Sequence, residues 1–391
     1  MDLPSFQHIA PALRLYSGAN SLVQLGRELE RLGAQRAVAV CGGSLLREGK
    51  ALEQLRGALG ARLAGVVAGV KAHSPVPAVE EVARELERLE ADAVIAVGGG
   101  SAIVTARAAS ILLAEKGAAR DLCTTREPSG KLRSPKLLAP KLPQLVLPTT
   151  PTTAMVKAGS AVFDPVEKKR LALFDPKTRA QAVFVHPDFI ATAPSGLLVS
   201  ASLNTLVLAL EGLLSTTGDP LADALLMHAI RLVNTHLTNR TAHDDPRVRG
   251  DLVLAAVLCG QGTDFTGAGV VTVLSHATGA RHGLENGVLN AVFLPLGLRF
   301  NAAAAPAGMD KVATALDTRG SDGHADVERM IAHLRGLFDQ LGVPRRLRDM
   351  GVPQSDLEAI ATLGMGDWFL LGNPRPVREQ GELQALLEQA W

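Results

Sequence analysis

Cysteine is scarce in this 391-residue chain: Cys41, Cys123 and Cys259 stand far apart and form no C-x-x-C pattern. That excludes a disulfide framework and a thiolate zinc site, and it fits a reducing cytoplasm. Aromatic residues make up only 3%, with one Tyr and two Trp, so there is little surface for stacking bases. An excess of one charge is also missing. Forty Lys and Arg against 39 Asp and Glu leave a net +1, which argues against nucleic acid or another polyanion as a partner. No uninterrupted apolar run reaches the roughly eighteen residues of a membrane span. The opening MDLPSFQHIAPALRLYSG lacks a basic start followed by an apolar core, so no secretory signal is expected. What remains is 47% apolar and 20% charged, the composition of a globular protein large enough for two domains with ordinary cores.

The first half alternates short apolar runs with amphipathic helical patterns. Residues 37–41 (AVAVC), 63–70 and 93–97 (AVIAV) read as strands, and residues 78–89 (AVEEVARELERL) as a helix with one apolar face. Strand, helix, strand in that order predicts a parallel, doubly wound sheet. Residues 145–147 give another strand running into Pro148-Thr149-Thr150, followed by strands at 160–163, 170–174 and 182–185. Residues 115–141, rich in Pro, Lys and Arg, read as a long surface loop whose basic residues face solvent. After Pro194 the pattern turns helical, at 197–214, 222–235, 248–260 and 325–341. The expected organisation is an α/β domain over residues 1–190 and an all-α domain over 191–391.

The strongest local signal is AVIAVGGGSAIVTARAAS, residues 93–110. A buried strand runs into Gly98, Gly99, Gly100 and Ser101 and then an Ala-rich helix. Glycines let backbone N–H groups approach a phosphate, and the helix N-terminus adds its positive dipole. A dinucleotide's diphosphate is the natural guest, although a strand-to-helix turn that binds nothing has the same sequence, and the G-x-G-x-x-G spacing is absent. A second loop, LPTTPTTA at 147–154, offers the hydroxyls of Thr149, Thr150 and Thr153 to a phosphate, ribose or amide. Two such loops at strand C-termini say more than either alone, because ligands collect at that edge.

Together these motifs resemble the iron-containing alcohol dehydrogenase superfamily. G-G-G-S opens a helix, P-T-T follows about fifty residues on, and a helical half comes next. FDP, VHPD, LNTLVLALEG, NGVLNAVFLPLGLRFN and a closing NPRPV extend the likeness over essentially the whole chain. Asn204, FNAAAAPAGM at 300–309 and residues 373–377 lean toward the maleylacetate reductase branch. The resemblance implies a dehydroquinate synthase-like fold, a cleft between the domains for nicotinamide and substrate, NAD or NADP as cofactor, and a homodimer. It also implies a divalent ion held by one Asp and three His. Those positions read Asn204, Leu208, Thr272 and Asn286 here, so no catalytic metal is expected.

Without a Lewis acid, another group must meet the charge that develops on a substrate oxygen. His276 matches a family His four residues after the third ligand position and is the best candidate proton donor, against the alternative of a hydrogen-bonded core histidine. Asn204, Asn286, Thr272 and His282 are its candidate neighbours, and Arg281 is a candidate for a substrate carboxylate. On the cofactor side the family's Asp after G-G-G-S is Val104, and its Lys is Arg107. The segment after P-T-T is rewritten to Thr152-Thr153-Ala154-Met155-Val156. The acidic residue that in the family follows the first strand and holds the adenosine ribose is replaced by Gly42-Gly43-Ser44, which leaves NADP as admissible as NAD. The leading expectation is a metal-independent NAD(P)H-dependent reductase of a small carbonyl or enone, maleylacetate-like in character. The alternatives are a repurposed, non-redox family member and a zinc enzyme of the dehydroquinate synthase or glycerol-phosphate dehydrogenase type, for which the sequence supplies no zinc site.

Overall fold

The computed structural model describes residues 5–127, 132–239, 241 and 243–391. It divides into two compact units, one over Pro11–Pro194 and one over Ser195–Trp391 together with residues 5–10.

The α/β unit contains β1 (Arg14–Ser17), α1 (Ser21–Leu32), β2 (Ala37–Gly42), α2 (Gly43–Glu48), α3 (Lys50–Leu59), β3 (Leu63–Val70), α4 (Val76–Arg88), β4 (Ala93–Gly98) and α5 (Gly100–Glu115). It continues with β5 (Thr125–Arg126), β6 (Leu132–Arg133), β7 (Gln144–Pro148), β8 (Gly159–Asp164), β9 (Lys169–Phe174), β10 (Ala180–Val185) and α6 (Pro187–Ile190). Six strands form one parallel sheet in the order β1-β10-β7-β4-β2-β3. The inner strands β2, β4 and β7 are buried along nearly their whole length, as a sheet covered on both faces requires. Ala37, Ala39 and Cys41 of β2 and Ile95 and Val97 of β4 pack with Leu25 and Leu29 of α1 and Leu52 and Leu55 of α3. The opposite face meets α4 and α5, which also pack on each other. α5 is buried on almost every side, so its Ala-rich composition serves close packing rather than an amphipathic face.

The expected strands at 160–163 and 170–174 exist as β8 and β9, but they form a separate antiparallel hairpin. The segment 115–141 is not wholly solvated. β5 and β6 pair within it, and the Lys141 side chain is 0% exposed, its Nζ 2.5 Å from Glu115 Oε1 and 3.1 Å from Asp175 Oδ2. Residues 128–131 of that expected loop lie outside the described residues.

The helical unit runs α7 (Ser195–Leu214), α8 (Pro220–Leu237), α9 (Pro246–Thr266), α10 (Val270–His282), α11 (Asn286–Asn301), α12 (Pro306–Leu316), α13 (Val327–Leu341), α14 (Leu357–Met365) and α15 (Gln380–Ala390). Asp219, Asp245 and Asp326 cap α8, α9 and α13 with side-chain carboxylates, and Pro opens α8, α9 and α12. α7 and α11 are long and apolar enough to cross a membrane, but their residues are mostly buried in this unit's core, centred on Leu206, Leu210, Leu289 and Phe293.

The expected boundary near residue 190 put the first ten residues in the α/β domain. Residues 5–10 instead count with the helical unit. His8 explains why: its Nδ1 lies 3.0 Å from Asp219 Oδ2, and its ring stacks on Phe265 with centroids 3.9 Å apart.

Candidate functional site

In the α/β unit, a glycine turn and a threonine loop meet at the C-terminal edge of the sheet. Gly98 ends β4 at φ +145°, a conformation that a side chain resists, and a β-carbon there would lie 2.9 Å from Ala102 Cβ. At Gly99 a β-carbon would come within 2.8 Å of Thr150 Oγ1, and at Gly100 within 3.1 Å of Thr152 Oγ1. Glycine is therefore required where the chain turns into α5, and two hydroxyls rest against that turn. Gly99 caps the 16-residue α5 and takes Ala102 N–H (3.1 Å) and Ile103 N–H (3.3 Å) on its carbonyl, so Gly100 and Ser101 are the first-turn residues whose N–H groups point out of the helix start at this edge.

The threonine loop is held from below. Thr149 N–H donates to Gly98 O (3.1 Å), and Thr152 Oγ1 accepts from Ala154 N–H (3.3 Å). Thr153 opens a short 3₁₀ turn, Thr153–Val156. The fully buried Arg107 of α5 donates to Ala154 O (2.6 Å) and Gly159 O (2.7 Å), and Arg179 donates to Val156 O (2.5 Å). Ser101, in the first turn of α5, accepts at its carbonyl from Ser74 Oγ (3.1 Å). His73 and Ser74 both adopt left-handed backbone, φ +61° and +49°, a strained pair beside the α5 N-terminus that nothing in the sequence marks.

In the helical unit the expected residues take distinct partners. His276, on α10, has Nδ1 3.4 Å from Asp367 Oδ2 and its ring 5.9 Å from that of Phe369. Asn204, on α7, accepts at Oδ1 from Asn290 Nδ2 (2.9 Å). Thr272 donates its hydroxyl to Glu211 Oε2 (2.5 Å). Asn286 is the first residue of α11, and its Oδ1 would lie 2.7 Å from a β-carbon on Gly279. His282 Nε2 stands 3.4 Å from Asp356 Oδ2, and Arg281 donates to the same oxygen at 2.8 Å. That carboxylate pairs with Arg281, which accords with the alternative, a surface role for Arg281.

Glu211 was missed by sequence reasoning. Burial raises its pKa, although Val271 N–H, Thr272 N–H and the Thr272 hydroxyl all donate to it at the start of α10. It lies seven residues after Asn204 and three after Leu208, on one face of α7. The four positions that the resemblance gives to metal ligands thus hold an amide oxygen already bonded to Asn290, an isobutyl group, a hydroxyl committed to Glu211 and a second amide. This donor set does not fit a divalent iron or zinc ion.

A doubly wound parallel sheet with a glycine turn at its ligand edge, followed in the chain by an all-helical unit, defines the class. The chain belongs to the iron-containing alcohol dehydrogenase family, a family of oxidoreductases. A model described as iron-containing alcohol dehydrogenase matches residues 11–187, and one described as Fe-containing alcohol dehydrogenase family, C-terminal, matches residues 198–391. The maleylacetate reductase of Burkholderia cepacia is 28% identical over 382 residues, covering 97% of this chain and 95% of its own. The NAD-dependent methanol dehydrogenase of Bacillus methanolicus is 26% identical over 377 residues, covering 94% and 96%. Among solved structures, the maleylacetate reductase of Agrobacterium tumefaciens shares the fold at a TM-score of 0.79, with 22% identity over 100% of this chain and 99% of that one. A 1,3-propanediol oxidoreductase shares it at 0.88, with 23% identity over 99% and 100%.

Proposed function

We propose that this protein is an NAD(P)H-dependent reductase that works without a catalytic metal on a small carbonyl or enone, of the kind maleylacetate exemplifies. The observation that carries the reading is the Gly98–Gly100 turn, where glycine is sterically required and the hydroxyls of Thr150 and Thr152 flank an uncapped helix start. Such a turn receives a diphosphate through backbone N–H groups. A dinucleotide held there by the Gly98–Gly100 turn would supply the hydride.

The protein's part is the proton and the charge. Asp367 beside Nδ1 orients the His276 ring, so Nε2 is the nitrogen that would pass a proton to the substrate oxygen. The side-chain amides of Asn204 and Asn286 are the neutral donors that would share the developing negative charge. A conjugated double bond spreads that charge, which lowers the need for a Lewis acid. The scarcity of cysteine supports a cytoplasmic setting.

The test is a fluorescence titration of the purified protein with NADH and NADPH, with elemental analysis of the same sample. The expected result is micromolar binding of at least one dinucleotide with far less than one equivalent of iron or zinc, and turnover that survives chelators. Stoichiometric metal that chelators remove together with activity would refute the metal-independent reading. Failure to bind either dinucleotide would favour the repurposed, non-redox reading.

A further inference from the structure

The helical unit holds a cavity that the reading above leaves unused. α11 packs against both α13 and α15, and residues of all three helices line an open hollow of about 250 Å³. Its floor is apolar. Val292 and Pro295 of α11 and Phe338 of α13 are buried there, and Val343 closes one side. None of the lining residues belongs to the glycine turn, the threonine loop or the group around His276.

The mouth of the hollow is cationic. α13 ends at Gly342, whose left-handed backbone (φ +71°) turns the chain, and Arg345 and Arg346 follow shortly after that turn. Arg335 stands on α13 itself, so three exposed arginines line one small cavity. The one carboxylate among the lining residues, Asp339, is taken by Arg345, with Nε donating to Oδ1 at 3.0 Å and Nη2 to Oδ2 at 2.6 Å. Arg335 acts on Asp339 and Glu328 at longer range. Among the described residues, neither Arg335 nor Arg346 has a carboxylate within 4.0 Å. Like charges gathered over an apolar floor repel one another, and an anion seated between them relieves that repulsion.

We propose that this cavity is a second ligand site, for a small organic carboxylate with an apolar body. Arg335 and Arg346 hold the carboxylate at the mouth, and Val292, Pro295 and Phe338 receive the body below. Guanidinium groups take carboxylate oxygens in paired, charge-assisted bonds. The volume lies under the roughly 300–1,000 Å³ of drug-sized sites, so a single ring or a short branched chain fills it. A bare inorganic anion would meet the rim alone and gain nothing from the floor. The site stands whether or not the protein binds a dinucleotide.

The experiment is calorimetric titration of the intact protein with phenylacetate, with its neutral analogue phenylacetamide and with inorganic phosphate. Each is repeated in the presence of excess NADPH. Phenylacetate should bind, and the amide and phosphate should bind about tenfold or more weakly, the loss expected when charge-assisted bonds or apolar contacts are missing. NADPH should leave phenylacetate affinity unchanged. The double variant Arg335→Ala with Arg346→Ala should weaken phenylacetate by about tenfold or more. Both side chains are exposed, so its thermal melt should match that of the wild type. Arg231→Ala, at an exposed position of α8 outside the cavity, should bind like the wild type. Equal affinity in the double variant and the wild type, or displacement of phenylacetate by NADPH, would overturn the assignment. Phosphate binding as tightly as phenylacetate, or no phenylacetate binding at all, would do the same.

Discussion

His276 and Asp367, 91 positions apart in the chain, face each other at 3.4 Å between Nδ1 and Oδ2, each side chain less than one-fifth exposed. A histidine held by a carboxylate through one nitrogen presents the other in a fixed direction. His276→Ala should therefore lower kcat by about two to four orders of magnitude, the usual contribution of a general acid. Asp367→Asn should cost about tenfold, because it weakens the alignment and leaves the proton in place. Steady-state rates over a panel of carbonyl and enone substrates measure both. Unchanged turnover in His276→Ala would remove it from the mechanism.

Glu211 contributes to the pH dependence of stability with a definite sign. Its folded pKa is raised above the ordinary 4.5, chiefly by burial. Below that ordinary value the folded and unfolded chains both carry the proton. As pH rises above it, the unfolded carboxyl ionises while the folded one retains its proton, so stability from this group is lost until the folded carboxyl ionises too. Glu211→Gln keeps an acceptor for Val271 N–H and carries no titratable proton. Thermal denaturation of both proteins from acid to neutral pH should show the variant gaining on the wild type as pH rises. A constant difference in melting temperature would contradict the raised pKa.

At Gly287, α11 lies directly against the backbone of α7. A β-carbon there would overlap the carbonyl of Ser200 and come within 2.9 Å of Ser200 Cα. Backbone cannot step aside as a side chain can. Gly287→Ala should cost about 3 kcal/mol or more, read from denaturant melts, whereas the open position Gly250 should tolerate Ala with little change.

Arg107 fastens the threonine loop to α5 through two backbone carbonyls. Arg107→Ala would leave both acceptors without this donor and open a cavity, at a cost of about 2–4 kcal/mol. Arg107→Lys should recover only part of it, because an ammonium cannot reproduce the guanidinium fork. Dinucleotide affinity should fall with the same order of severity, since Thr150 and Thr152 lie on the loop that Arg107 holds. Full stability in Arg107→Ala would show the clamp to be dispensable.

The glycine turn, the threonine loop and the parallel strands were legible in the sequence for a local reason. A buried strand, a glycine turn and an Ala-rich helix are written in consecutive residues, and their periodicity needs no distant partner. The same locality gave the substitutions at Asn204, Leu208, Thr272 and Asn286, since the resemblance aligns them by position. Locality also set the limit: β8 and β9 read as strands, and only their pairing could place them outside the main sheet. β1, four mostly exposed residues at the sheet edge, has too few apolar positions to announce itself.

Tertiary structure alone decided which groups meet. Asp367 beside His276, Asn290 on Asn204, Asp356 on Arg281 and Glu211 at the start of α10 are all contacts between segments 60 or more residues apart. A one-dimensional pattern records which residues can donate, accept or ionise, and nothing about their neighbours in space. Protonation, charge pairing and donor availability are properties of those neighbourhoods, so the sequence set the chemical types present and the packing of the helices set the state each one occupies.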